Sequence, residues 1–293
     1  MRKASYLYNC MIRYAYTIRV ACLTAAALIF CVLTTVQVHA NDGAGLLWLV
    51  NTDHPLCEGF EPRTLVDVGN HRMDGKVADA YEKLTAAMQA EKAEAGDQTL
   101  YLYSAYRSYG RQKDLFAERI RHYITQGYSR KEARERAAQS VQPPGASEHQ
   151  TGLALDVSST GALNQAFGET PAGEWLAANA HRFGFIIRYP QSKTHTTNII
   201  YEPWHLRYVG TPHAEIMHAR DLALEEYADF LAAHTPFIFQ NAAGEFQSVT
   251  ICDKLPDEWP PDAINISATH YGQGARYIVT YTITTHTQIF TFP

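Results

Sequence analysis

Two short segments carry the side chains best suited to catalysis. The first is Ser147-Glu148-His149-Gln150-Thr151-Gly152-Leu153-Ala154-Leu155-Asp156, and the second is Tyr201-Glu202-Pro203-Trp204-His205-Leu206-Arg207-Tyr208. Hydrolytic zinc needs three N or O ligands and one position left open for water. His149, Asp156 and His205 supply two imidazoles and a carboxylate. The seven-residue step from His149 to Asp156 suits one ligand in a loop and the next after a short strand, with Gly152 permitting the bend. Glu202 stands three positions before His205, so a backbone kinked at Pro203 could turn both toward one cavity. A carboxylate beside an activated water is a natural general base. Taken alone, one His and one Asp at this spacing form a weak motif. No HExxH string is present, and no CxxC pair either, which excludes a zincin helix, a zinc ribbon and a thioredoxin-like site. Of the other histidines, His213 and His218 share one expected helix at i,i+5 and are read as surface residues. His195 is read as a loop residue.

The elements that must position these groups follow from periodicity and turn chemistry. An extended arm over residues 45–68 precedes a helix with Val77, Tyr81, Leu84 and Met88 on one stripe, stopped by Gly96. Residues 99–104 read as a strand. A helix begins near Tyr109 with Leu115, Phe116 and Ile120 inward, and a charged helix over 129–140 runs into the loop Pro143-Pro144-Gly145. Strands are expected at 153–157 and 185–189, with a helix over 174–183 closed by Gly184 between them. Residues 199–201 and 206–209 flank Pro203, which should interrupt the ladder. Thr211 and Pro212 start one long helix ending near His234. Beyond it, residues 237–239, 246–252, 277–285 and 288–292 alternate β-branched or aromatic with polar residues, punctuated by Gly244, Gly272 and Gly274. The expected organisation is an α+β body over 41–234 and a small β-rich appendage over 235–293.

Composition bounds the function. The chain has 293 residues, 46% of them hydrophobic, enough for one large domain or two modest ones. Residues 1–40 hold four basic side chains and no acidic one, while residues 41–293 hold 21 basic and 30 acidic groups. So acidic a body argues against nucleic acid as a partner. The uncharged stretch over 20–36, followed by Val38-His39-Ala40, reads as a signal peptide or a membrane anchor engaging the membrane during export. The body is therefore expected outside the cytoplasm. Only Cys57 and Cys252 fall after residue 40. In an oxidising compartment they are expected to pair, with two separately packed thiols as the alternative.

The strings Ser-x-His-x-x-Gly-x-Ala-x-Asp over 147–156 and Glu-Pro-Trp-His-x-Arg over 202–207 resemble those of VanY-type D-alanyl-D-alanine carboxypeptidases. These are zinc peptidases sharing a fold with hedgehog domains and lysostaphin-like enzymes. Leu49-Val-Asn51 with Pro55-Leu56, Ser104-x-Tyr-Arg-Ser-Tyr109 with Gln112, Gly184-Phe-Ile-x-Arg-Tyr-Pro190 and Leu224-Glu-Glu-Tyr227 extend the likeness over about residues 46–232. The resemblance implies a central antiparallel sheet with flanking helices and one zinc per chain on His149, Asp156 and His205, with Glu202 as catalytic base. It also implies that Arg107 and Gln112 hold the substrate carboxylate or the developing oxyanion, and that Ser147 touches substrate. A guanidinium offers a planar, permanently charged fork for such a carboxylate. Asn198 stands where the family commonly has glycine, and asparagine tolerates the left-handed backbone such a turn needs. The implied substrate is a peptidoglycan stem peptide, cleaved by a monomer. An L,D-carboxypeptidase, an endopeptidase and a non-catalytic wall-binding protein are the alternatives. The appendage has no counterpart in the resemblance.

Overall fold

The computed structural model describes residues 45–91, 99–241, 243–254, 263–271 and 276–283. The expected leader, Gly96, Gly272, Gly274 and the strand over 288–292 lie outside these residues. Among the described residues, no helix is long and apolar enough to cross a membrane.

The arm leads into a hairpin of β1 (Leu65–Val68) and β2 (His71–Asp74). Asp74 ends the hairpin and caps α1 (Gly75–Ala90), its carboxylate accepting from the Lys76 N–H at 2.9 Å. Val77, Ala80, Leu84 and Met88 form the buried stripe of α1. After β3 (Tyr101–Ser104), Ser108 caps α2 (Tyr109–Thr125), and a Ser129–Glu132 capping box opens α3 (Arg130–Ala138). Then come β4 (Ala154–Ser158), α4 (Pro171–Asn179), β5 (Phe185–Tyr189), the short α5 (Thr194–Thr197) and β6 (Glu202–Tyr208). Asn198, at φ 57, takes the left-handed turn expected of it.

Strands β3, β4, β6 and β5 make one antiparallel sheet in that order. Its two faces differ in chemistry. Leu155, Val157 and Leu206 point into a core with Met73, Val77, Leu84, Trp175 and Leu176. Alternation puts Asp156, His205 and Arg207 on the opposite face. That face is also buried, so its charged groups must satisfy one another.

Pro203 interrupts the ladder as expected, although β6 runs through it. The β4 partners of β6 are confined to residues 205–207, and the β5 register shifts between Ile187 and Tyr189, so no ladder bond is asked of the proline. Residues 199–201 are not a strand.

The long helix expected over 211–234 is two helices, α6 (Thr211–Ala219) and α7 (Leu224–His234). Between them Asp221 is left-handed at φ 48, the Leu222 N–H reaches Met217 O, and the Asp221 N–H reaches His218 O. This is a Schellman turn with aspartate where glycine is usual. The apolar period carries across it from Met217 to Leu224, so the sequence pattern conceals the break. His213 is likewise not a surface residue; it is buried, and its Nδ1 lies 2.9 Å from Tyr227 Oη.

The C-terminal sheet comprises β7 (Phe237–Gln240), β8 (Phe246–Cys252), β10 (Arg276–Ile283) and β9 (Ala263–Tyr271), in that spatial order. No expected strand corresponds to β9, where Asn265, Ser267 and Ala268 dilute the apolar alternation. Val249 and Ile278 share a buried cluster with Leu224, Tyr227 and Leu231 of α7 and with Leu47 and Leu49 of the arm. The sheet is thus packed onto the body.

The expected disulfide does not form: Cys57 is exposed, Cys252 is buried, and both are free. The arm holds Cys57 beside the first catalytic segment, its carbonyl accepting from Gln150 Nε2 at 3.0 Å, while Cys252 is fixed on β8 opposite Tyr277.

Burial pushes the His213 imidazole down to about 4, so it is neutral in the folded chain at pH 7. Because its folded pKa lies below the unfolded value, this stabilisation is complete above pH 6.5 and is lost as pH falls toward 4. The loss should reach about 3 kcal/mol. Chemical denaturation of the wild type and of His213→Gln across that window checks this, and the variant should show the shallower slope.

Candidate metal centre and active site

The site is assembled from three backbone devices. A 3₁₀ turn, Glu148–Thr151, carries His149 and ends at Gly152, which is left-handed at φ 72. A Cβ there would stand 2.7 Å from Leu65 and 3.2 Å from the Asp74 nitrogen, so only glycine lets the chain turn against the hairpin and enter β4. Next, Asp156 on β4 and His205 on β6 are direct cross-strand partners. Lastly, the chain leaving β3 is clamped to the turn: the Arg107 N–H donates to His149 O at 3.0 Å, and His149 Nδ1 lies 2.7 Å from Ala105 O. That carbonyl takes the Nδ1 proton and leaves Nε2 as the free lone pair.

One ligating atom from each of His149, Asp156 and His205 lies within 4.8 Å of the others, and all three residues are buried. His149 Nε2 is 3.1 Å from Asp156 Oδ2, and His205 Nδ1 is 3.1 Å from Asp156 Oδ1. Asp156 Oδ1 nonetheless has no hydrogen-bond donor, so the two atoms lie alongside rather than aimed at each other. Two imidazoles and a carboxylate converging on one point form a donor set that suits zinc. The electrostatics agree. Burial opposes ionisation of Asp156, but His149 and His205 outweigh it and hold the carboxyl well below its usual range. Burial and Arg107 hold His149 below its ordinary value, hence neutral. Burial also opposes charge on His205, yet Asp156, Glu148 and Glu202 overcome it and push it up to about 9. The centre attracts positive charge, which a dication would supply in place of that proton.

Glu202 and His205 would face opposite ways on a regular strand. The irregular stretch at Pro203 cancels that, and Glu202 Oε2 comes to 3.7 Å from His205 Nδ1. Loss of water pushes its carboxyl up to about 8. Arg107 Nη2 reaches Asp156 Oδ2 at 3.3 Å and Ser104 Oγ at 3.0 Å, while Nη1 donates to Gln112 Oε1 at 2.8 Å. Gln112 donates onward to Gln142 O at 2.6 Å. Its amide therefore has both ends occupied and is 1% exposed. Ser147 is buried two residues before His149.

Sequence reasoning missed the layer beneath the triad. Glu148 Oε1 accepts from Arg188 Nε at 2.8 Å and Arg207 Nη1 at 2.7 Å, and Arg188 is held by Glu225 at 2.6 and 2.8 Å. Arg207 Nη2 also donates to Leu46 O and Trp48 O, tying the arm to the sheet. The signal was an arginine within each of two apolar strands, Phe-Ile-Ile-Arg-Tyr and His-Leu-Arg-Tyr, since a charge on a buried strand requires a partner.

A profile of the VanY family, described as D-alanyl-D-alanine carboxypeptidase, matches residues 70–211. YodJ of Bacillus subtilis (strain 168) is 42% identical over 206 residues, covering 67% of this chain and 70% of YodJ. The chain belongs to the VanY family. A Zn(II) complex of a variant of the vancomycin-resistance D,D-pentapeptidase VanY, from a VanB-type cassette, is 34% identical. It aligns with a TM-score of 0.55, over 62% of this chain and 98% of that one. The LD-carboxypeptidase LdcB is 38% identical with a TM-score of 0.55, over 63% of this chain and 86% of its own. The chain is accordingly a metallopeptidase of the VanY type, with the mixed helix and antiparallel-sheet fold of its VanY neighbours.

His205→Ala should abolish stoichiometric zinc binding, whereas Glu202→Ala, which leaves all three donors in place, should still bind the metal. Metal analysis after dialysis decides it, and loss of zinc from both variants would place Glu202 among the ligands.

Proposed function

We propose that this chain is a zinc-dependent D-alanyl-D-alanine carboxypeptidase that removes the C-terminal D-alanine from peptidoglycan stem peptides. The observation that carries the reading is the buried His149–Asp156–His205 cluster with Glu202 beside it, in a chain of the VanY family. His149, Asp156 and His205 would hold one zinc, which when bound lowers the pKa of water and polarises a carbonyl. Glu202 takes the proton of the attacking water and returns it to the departing amine. Its carboxyl, raised by burial, is matched to a group that must both accept and release a proton near neutrality.

Arg107 faces the same centre and neutralises either the substrate's terminal carboxylate or the oxyanion that forms on attack. Gln112, with both amide ends engaged, acts on substrate through Arg107 by holding its fork in plane. Ser147, buried two residues before His149, is assigned to contact substrate on the family resemblance. The leader reading of residues 1–40 supports a place of action outside the cytoplasmic membrane, where stem peptides are found. The likeness to LdcB supports a second specificity, for the tetrapeptide, in the same chemistry.

Release of D-alanine from pentapeptide and tetrapeptide, assayed side by side with zinc-loaded protein, tests the reading. Pentapeptide should be the better substrate by kcat/KM, and preference for tetrapeptide would reassign the enzyme as an L,D-carboxypeptidase. Glu202→Gln should lower kcat by about 10²–10⁴-fold. Arg107→Ala should lose activity that Arg107→Lys restores only in part, because a point charge lacks the two-pronged geometry. Amidating the terminal carboxylate should abolish cleavage, and equal turnover of the amide would indicate an endopeptidase.

A further inference from the structure

Beneath the triad lies a carboxylate whose two oxygens have unequal company. Glu148 has a side chain with no exposure at all. Its Oε1 receives both Arg188 and Arg207, at 2.8 and 2.7 Å. Its Oε2 is buried and has no hydrogen-bond partner. The neighbour of that bare oxygen is His205 Nε2, 3.8 Å away, which is also buried and without a partner. Two orphaned polar atoms of complementary kind, an acceptor and a ring nitrogen able to donate, face each other just beyond bonding length. Leaving both unsatisfied in a dry interior is costly, and a movement of roughly 0.8 Å would join them.

The other nitrogen of the same ring, Nδ1, is the one turned toward Asp156 and Glu202. The two histidines therefore present opposite nitrogens to the centre. His149 is keyed by a backbone carbonyl, since Ala105 O takes its Nδ1 proton and frees Nε2. His205 needs the reverse setting, with the proton on Nε2, and Glu148 Oε2 is the acceptor placed to hold it there.

We propose that Glu148 is a positioning residue, accepting the Nε2–H of His205 and so fixing the imidazole with its Nδ1 lone pair aimed at the metal centre. The inference rests on the zinc reading of the site given above. The two arginines serve it in a specific way. By saturating Oε1 they set the rotation of the carboxylate, and with Glu225 they balance its charge, so Oε2 can be spent on the histidine. Carboxylate or carbonyl partners of ligating imidazoles commonly set tautomer and ring orientation in this manner.

Glu148→Gln is the discriminating substitution. The two arginines require an acceptor at the Oε1 position, so the amide nitrogen must turn toward His205, where it donates to Nε2 and forces the proton onto Nδ1. Zinc affinity, measured by chelator competition on the full chain, should fall about ten- to a hundredfold. The second readout needs no variant. In zinc-loaded wild type labelled with ¹⁵N-histidine, two-bond nitrogen–proton spectra should show His205 protonated at Nε2, with that proton slow to exchange. Zinc on Nε2, or a proton on Nδ1, would overturn the proposal even if Glu148→Gln failed to fold. So would a folded Glu148→Gln that binds zinc within twofold of wild type and keeps the Nε2–H signal. Absence of zinc binding by the unaltered chain would instead sink the zinc reading itself, before any variant is compared.

Discussion

Asp156 and His205 face each other across the two central strands, with their side chains on a buried face of the sheet. That pairing constrains the rest of the body. A carboxylate and an imidazole placed side by side in a dry interior must be neutralised locally, because solvent cannot do it. Charged groups around them are placed accordingly: Arg107 against Asp156, and Glu148 with Arg188 and Arg207 in the layer beneath. Replacing Arg107, Glu148, Arg188 or Arg207 by a neutral residue leaves its partners buried with unbalanced charge.

The division of labour between the two faces explains how a small sheet can be both rigid and reactive. Leu155, Val157 and Leu206 anchor β4 and β6 in the main core. The same strands, read one residue out of step, present Asp156, His205 and Arg207. Packing on one side thus fixes ring and carboxylate positions on the other, because a register slip would exchange the two sets. The arm takes part as well. Arg207 holds Leu46 O and Trp48 O, so the network that steadies the metal centre also fastens the first described residues to the sheet.

Glu202 and Arg107 are held by less regular means. The shift in register at Pro203 turns Glu202 toward His205 and strips its carboxyl of water. Arg107 sits just beyond β3, where Ser104 and Gln112 fix its fork while its tip meets Asp156. Glu202, at the start of β6 opposite Tyr189, and Arg107, in the loop after β3, thereby converge on the triad from outside the β4–β6 register that positions Asp156 and His205.

Much of this was legible in residue types and spacing. His149, Asp156, Glu202 and His205 stand in two strings whose chemistry points to a metallopeptidase, and the strands expected at 99–104, 153–157 and 185–189 and the helices α1 to α3 are local matters of period and turn residue. Asn198 in a left-handed turn belongs to the same class, since its conformational tolerance is a property of one residue. What only the folded chain decided involves partners distant in sequence. The break between α6 and α7 is invisible to a period that continues across it, and Asp221 took a place that glycine usually marks. The burial of His213 depends on Tyr227 of the next helix. The separation of Cys57 from Cys252 depends on where the arm is clamped, which no spacing encodes. The network of Glu148, Arg188, Arg207 and Glu225 joins four segments: the two strand arginines signal a need for partners, but only packing decides which carboxylates meet it.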